Sequence, residues 1–167
     1  GIDTNFWESP TRPWYLVIPL FGSPIAVIPE IGEKLFKKTF VKDIHTWPSP
    51  NLNGDDISPL KSLLESLPSR FGAIGAELGK EMSIRMPTID FNLLQDNFKF
   101  DIVDGASLIW ALRSVKTLNE IKKIGKVAQI VSEVFEILPA IISVNDSERD
   151  VAKKLKKEIL KGGVDSI

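Results

Sequence analysis

One run constrains this chain more than any other. Residues 120–138 carry apolar side chains at 121, 124, 128, 131, 135 and 138, and a second set at 127, 130, 134 and 137. On a helix of about 3.6 residues per turn the two sets form adjacent stripes, together too wide for one buried face. The pattern predicts a long helix covered on two sides. Its start is written just upstream, where Thr117 and Glu120 form T-x-x-E, a capping box. The threonine hydroxyl accepts from the Glu120 N–H, and the glutamate carboxylate reaches back to the Thr117 N–H. Residues 107–115 read as an earlier helix, with Leu108, Ile109, Leu112 and Val115 on its apolar face. Arg113, Lys116, Thr117 and Glu120 therefore mark a junction between two helices, and it reads as a hinge between two domains.

Beyond that helix, Ser147 and Asp150 form a second capping box, and a last helix runs to Lys161. Val151, Leu155 and Ile159 make its apolar face, and Gly162-Gly163 closes it. Two helices cannot bury a two-sided stripe by themselves, because small units hide too little surface. The pair is expected to pack back on the rest of the chain or to swap onto a second copy. The final GGVDSI reads as the beginning of a further strand, and the first residue is Gly1 rather than Met. The sequence therefore reads as interrupted.

Upstream of the junction, strands and helices alternate. Residues 14–18 (WYLVI) and 25–28 (IAVI) read as strands joined by a proline- and glycine-containing hairpin loop. A short helix at 30–38, a strand at 40–44 and a long turn-rich loop at 47–56 follow. Ser58-Pro59 reads as an N-cap and first helical residue, opening a helix that buries Leu60, Leu63, Leu64 and Leu67. Residues 70–78 read as a glycine-containing strand, 88–96 as a helix and 98–103 as a strand of period two. The order β-β-α-β-α-β-α-β-α favours a layered α/β domain with a mixed sheet. It spans residues 1–115, and residues 116–167 form a separate helical segment.

Composition removes several classes of function. A formal net charge of -1 lacks the basic footprint of a nucleic-acid binder. With no cysteine, disulfides and thiolate sites are absent, which fits a cytoplasmic protein. No apolar stretch reaches the roughly 18 residues of a membrane span, and the first residues lack the basic start of a signal peptide.

The junction LRSVKTLNEIKKI resembles the R-x-[IV]-K-[ST]-x-x-E-[IL] segment of the pita-bread metallopeptidase family, which includes creatinase, prolidase and aminopeptidase P. The matching residues are Arg113, Val115, Lys116, Thr117, Glu120 and Ile121. Thr4-Asn5-Phe6 stands where family members often have T-G-F, with Asn in place of Gly. The strand 72–79, Val103-Asp104 before a helix, and the last helix with its closing glycines are similar to family segments in the same order. The resemblance implies a creatinase/prolidase N-terminal-like α/β domain at 1–115, followed by the first helices of an incomplete pita-bread catalytic domain at 116–167. It implies a parent enzyme that cleaves Xaa-Pro bonds with two divalent ions (Mn, Co, Zn or Fe), and a homodimer. The family's metal ligands (two Asp, one His, two Glu) lie later than this segment. The chain alone is thus expected to hold no metal or cofactor and to have no catalytic residues of its own. Its implied role is dimerisation and shaping of a pocket for proline-containing peptides. Two alternatives stay open. One is a parent acting on a small zwitterion, such as a creatinase-like hydrolase or a dimethylsulfoniopropionate lyase; the other is a stand-alone association module.

The candidates for pocket or interface are Phe6, Trp7, Arg12 and Trp47. The first three, with Trp14 and Tyr15, form an aromatic cluster beside a cation, suited to cation–π contact with a cationic or zwitterionic ligand. Aromatic packing beneath a proline-rich loop accounts for the same residues. Trp47 either folds back onto the core or meets a partner. His45 is the single histidine; with only Asp43 nearby it reads as a polar residue at a strand end. Asp55-Asp56 reads as a solvated turn, and the lysines of 153–161 as the outer face of a helix. Arg113 and Lys116 read as hinge salt bridges rather than binders of a substrate carboxylate.

Overall fold

The structure is a computed structural model and describes residues 12–49, 57–68 and 70–165. A continuous apolar run such as IAVIP suits a strand covered on both faces. It forms β2 (Ile25–Pro29), and every residue of it is buried. β1 (Tyr15–Val17) pairs with β2 antiparallel, and β3 (Asp43–Trp47) pairs with it in parallel, giving a mixed sheet of order β1-β2-β3. Alternation along β2 separates two cores. Val27 belongs to one with Trp47, Ile57, Leu60, Leu64 and Leu94; Ala26 and Ile28 belong to the other with Val41, Trp14, Phe36 and Ile44.

The parallel pair needs a crossover. A 3-10 turn at Glu30–Gly32 and the short helix α1 (Glu33–Phe36) supply it. Trp14 packs on that turn, with its ring centroid 5.6 Å from that of Phe36. A Cβ on Gly32 would fall 2.5 Å from the Trp14 ring, so glycine is required by contact there. On the other face lies α2 (Ser58–Ser66), which buries Leu60 and Leu64. Its N-cap is Ile57 rather than Ser58. Ile57 is itself buried, so core packing fixes the helix start, and Pro59 sits where no N–H is needed.

A second sheet pairs β4 (Ala73–Ala76) in parallel with β5 (Asp101–Asp104), with α3 (Thr88–Gln95) between them in sequence. Ile74 and Ile102 pack against the Trp47 core. The backbones close in at one end, where a Cβ on Gly105 would lie 3.3 Å from the Gly75 Cα.

The element order is the one expected, and several boundaries move, among them the strand expected at 70–78, which is confined to Ala73–Ala76. β3 begins at Asp43 instead of residue 40, because the Val41 N–H turns back to Thr39 Oγ1 at 3.1 Å while Phe40 points to solvent. β5 begins at Asp101 instead of residue 98: Asn97 takes a positive φ of 51°, and Phe98 and Phe100 form an edge-to-face pair. Trp47 ends a strand instead of opening a loop, and residues 50–56 of that loop lie outside the described set.

Contacts divide the chain into two compact units, one ending at Trp110 and one starting at Ala111, within α4 (Ala106–Ser114). The second unit contains α5 (Leu118–Ile141) and α6 (Glu148–Lys161). α5 continues past residue 138 with Pro139 inside it, so the Phe135 carbonyl loses its N–H partner one turn before the helix stops. The connecting turn is tied by the Ser143 N–H donating to Asp146 Oδ2 (2.6 Å) and by Lys154 Nζ donating to the same oxygen (2.6 Å). α6 starts with the Ser147–Asp150 capping box and ends with Gly163 at φ 92°.

Among the described residues of its own unit, α5 does not show the two-sided burial expected of it. Val134 is buried, whereas Ile124 and Phe135 are each 56% exposed. Ala128 is exposed as well. Burial follows neither set: Ile130, Val131, Val134 and Leu138 are buried or half-buried, while Ile121, Ile124, Val127, Phe135 and Ile137 stay exposed.

Candidate functional site

The junction is built from local hydrogen bonds. Lys116 Nζ donates to the Arg113 carbonyl and, at 3.5 Å, to the Ser114 carbonyl, at the end of α4. It thus satisfies acceptors that a helix C-terminus leaves open. This corrects the expected hinge salt bridge for Lys116, whose ammonium serves backbone carbonyls. One residue later the next helix opens. Thr117 N–H and Oγ1 both donate to Glu120 Oε2 at 2.7 Å, and Glu120 N–H donates to Thr117 Oγ1 at 3.3 Å. The hydrogen bonds from the Thr117 backbone and then its hydroxyl hold the Glu120 carboxyl below its ordinary value, with Lys116 and Lys123 adding to the effect. Arg113, Lys116, Thr117 and Glu120 thus share one short segment, as their spacing implied. Its geometry ends one helix and starts another.

The pocket candidates do not converge in the described residues. Phe6 and Trp7 lie outside the described set, as do Thr4-Asn5-Phe6 and Asp55-Asp56. Arg12 is exposed. Trp14 and Tyr15 separate to opposite faces of the sheet, Trp14 against the Ala26–Ile28 core and Tyr15 against the Val27 core. Trp47 is 1% exposed and takes the first of its two readings, folding onto the core with Leu60, Leu64 and Leu94. Its indole N–H finds no acceptor there.

His45 and Asp43 sit two residues apart on β3, on one face of the strand. His45 Nε2 lies 3.0 Å from Asp43 Oδ1, and both side chains are about half exposed. No third ligand joins them: among the described residues no cluster of three or more His, Asp or Glu side chains is placed to hold a metal ion. Among the described residues, one open surface depression is lined by Ile31, Lys34, Leu35 and Lys38 and another by Ile130, Glu133, Ile137 and Glu158. Neither gathers the convergent polar groups of a catalytic pocket. No helix among the described residues is long and apolar enough to cross a membrane.

Asp104, read from the sequence only as part of the Val103-Asp104 segment before a helix, has a local role there. Asp104 Oδ1 accepts from the Ala106 N–H at 2.9 Å and caps α4. Gly79 makes room for that carboxylate, since a Cβ there would fall 2.8 Å from Asp104 Oδ2. The signal was an Asp two residues ahead of the helix.

No protein-family model matches the chain, and no curated protein matches it. Solved structures do. Prolidase from Thermococcus sibiricus superposes with a TM-score of 0.70 at 22% identity, over 89% of this chain and 38% of that one. Dipeptidase PepE from Mycobacterium ulcerans gives 0.68 at 21%, over 93% and 40%. X-Pro aminopeptidase from Thermotoga maritima gives 0.66 at 18%, over 87% and 38%. The chain spans about two-fifths of the length of these structures. With its mixed sheet, crossover helices and capped helical pair, the chain has the fold of the N-terminal region of the pita-bread prolidases and X-Pro aminopeptidases.

Proposed function

We propose that residues 1–167 are the N-terminal portion of a Xaa-Pro peptidase-like metallohydrolase. In this reading residues 1–115 contribute to dimerisation and to the rim of the substrate pocket, and residues 116–167 open the catalytic domain. One observation carries it: the structures of a prolidase, a Xaa-Pro dipeptidase and an X-Pro aminopeptidase align across both units of this chain yet extend well beyond it. In the parent, two divalent ions would act as Lewis acids and activate water against the bond before proline. Their ligands would come from sequence outside these residues. Here Arg12, Phe6 and Trp7 would line the approach to that pocket from the N-terminal side. That these structural neighbours are peptidases favours a proline-containing peptide over a small zwitterion as substrate.

The test has two arms. The coding sequence beyond Ile167 is expected to continue in frame into two Asp, one His and two Glu ligands. Purified residues 1–167 with Mn or Co are expected to leave Xaa-Pro dipeptides intact. A stop codon directly after Ile167, or metal-dependent hydrolysis by this chain, overturns the proposal.

A further inference from the structure

Exposed apolar side chains of the first sheet gather at one of its ends. Register sets Val17, Ile25 and Asp43 level across the three strands. The loop of residues 18–24, which joins β1 to β2, and residues 37–42, which lead into β3, therefore leave the sheet at the same end. Both segments are held in shape. Gly22 at φ 104° turns the chain directly after Phe21. Val41 is buried, its N–H donates to Thr39 Oγ1, and Lys42 Nζ donates to the Thr39 carbonyl at 2.9 Å, so Phe40 is kept outside. Phe21 is 80% and Phe40 79% exposed, and Ile18 and Leu20 are exposed in the same loop as Phe21.

Charge is equally uneven. Residues 34–42 hold four lysines and no acidic residue, in a chain of formal net charge -1. The acidic residues that flank this block are each engaged, Glu33 by Lys37 at 2.7 Å and Asp43 by His45 at 3.0 Å. Lys34, Lys38 and Lys42 are exposed.

We propose that this end of the sheet seats on an anionic lipid surface, with Phe21 and Phe40 entering the acyl boundary and Lys38 and Lys42 at the headgroups. The lysine block calls for an anionic partner. Shape decides which kind. A peptide is taken into a groove or onto a strand edge. Neither depression described above is lined by Ile18, Leu20, Phe21 or Phe40. Prominent apolar side chains beside lysines suit an interface that yields around them, as the headgroup boundary of a bilayer does. The chain lies on such a surface and does not cross it. The inference rests on β1 to β3 and not on the peptidase reading.

Flotation of the full 167-residue chain with lipid vesicles tests it. The chain is expected to float with vesicles of phosphatidylserine and phosphatidylcholine in equal parts, to be released as salt is raised, and to stay behind with phosphatidylcholine alone. Phe21→Ser and Phe40→Ser are each expected to weaken binding roughly tenfold, the effect of one apolar side chain kept from burial. Lys38→Gln and Lys42→Gln are each expected to weaken it about fivefold, the share of one lysine near an anionic surface. All four positions are exposed, so far-UV circular dichroism is expected to match the parent. Phe135→Ser, at an exposed position of α5, is expected to leave binding unchanged. Equal binding to neutral vesicles, a loss with Phe135→Ser that matches the loss with Phe40→Ser, or serine variants that bind as well as the parent each overturns the inference. So does a chain that ignores both kinds of vesicle, whether or not it binds polyglutamate, the probe for an acidic protein partner. None of these bears on the coding sequence or the dipeptide assay, where the peptidase reading stands or falls.

Discussion

Trp47 gives the sharpest test of where chemistry ends and packing begins, because its sequence context allowed an interface role and the structure buries it. Truncation to alanine removes about 150 Å² of apolar surface, worth roughly 4 kcal/mol at about 25 cal/mol per Å². The empty volume beside Leu60, Leu64 and Leu94 adds to that loss, as large-to-small core changes of about 3–5 kcal/mol do. One effect opposes it. The buried indole N–H has no acceptor, and removing an unpaired donor returns about 1–3 kcal/mol. Trp47→Ala is therefore expected to cost about 2–4 kcal/mol, a large share of a typical total of about 5–15. Trp47→Phe keeps most of the ring and discards the unpaired donor, so it is expected within about 1 kcal/mol of the parent. Urea unfolding followed by far-UV circular dichroism separates the two variants. If Trp47→Ala leaves the midpoint unchanged while Trp47→Phe lowers it, the side chain is not in the core and the reasoning fails.

Three further outcomes follow from the same geometry. Thr117→Ala removes the hydroxyl that caps α5 and is expected to cost about 1 kcal/mol, read as earlier thermal loss of the 222 nm signal, whereas Thr117→Ser should recover most of it. Gly32→Ala places a methyl 2.5 Å from a rigid indole ring and is expected to cost about 1–3 kcal/mol, with quenching or a red shift of the Trp14 emission as the ring is pushed aside. Glu120 and Asp146 both have lowered folded-state pKa values, so their contribution is present above the ordinary values of 4.5 and 3.8 and is lost as pH falls through the lower folded ones. The α5–α6 pair is expected to lose stability below about pH 4.5, and Lys154→Met to weaken the part due to Asp146.

The sequence showed what local chemistry dictates. Both capping boxes sit where T-x-x-E and S-x-x-D placed them, because a cap depends on residues three apart and on nothing distant. β2 was legible because an uninterrupted apolar run has few other homes. β3 and β5 slipped by three residues, since their ends are set by register with a neighbouring strand and by Asn97 in a left-handed turn, neither of which alternation encodes. Trp47 was ambiguous for the same reason: only pairing with β2 brings it over α2. The Ser58 cap misled because burial of Ile57 outweighed a capping preference worth about 1 kcal/mol. The pocket residues stayed unread as a group, since Trp14 and Tyr15 diverge by strand alternation as soon as a sheet forms.

The Lys116 and Thr117 bonds reach no farther than three residues along the chain. The Trp47 core, in contrast, must bring Val27 to Leu94. Contacts between near neighbours close small loops and form fast, while contacts between distant residues wait on a long search. The helix start at the junction is therefore expected to form early and independently, before the sheet upstream has found its register. Pulse-labelled amide exchange would show this as protection at Glu120 and Ile121 that precedes protection in β2 and β3.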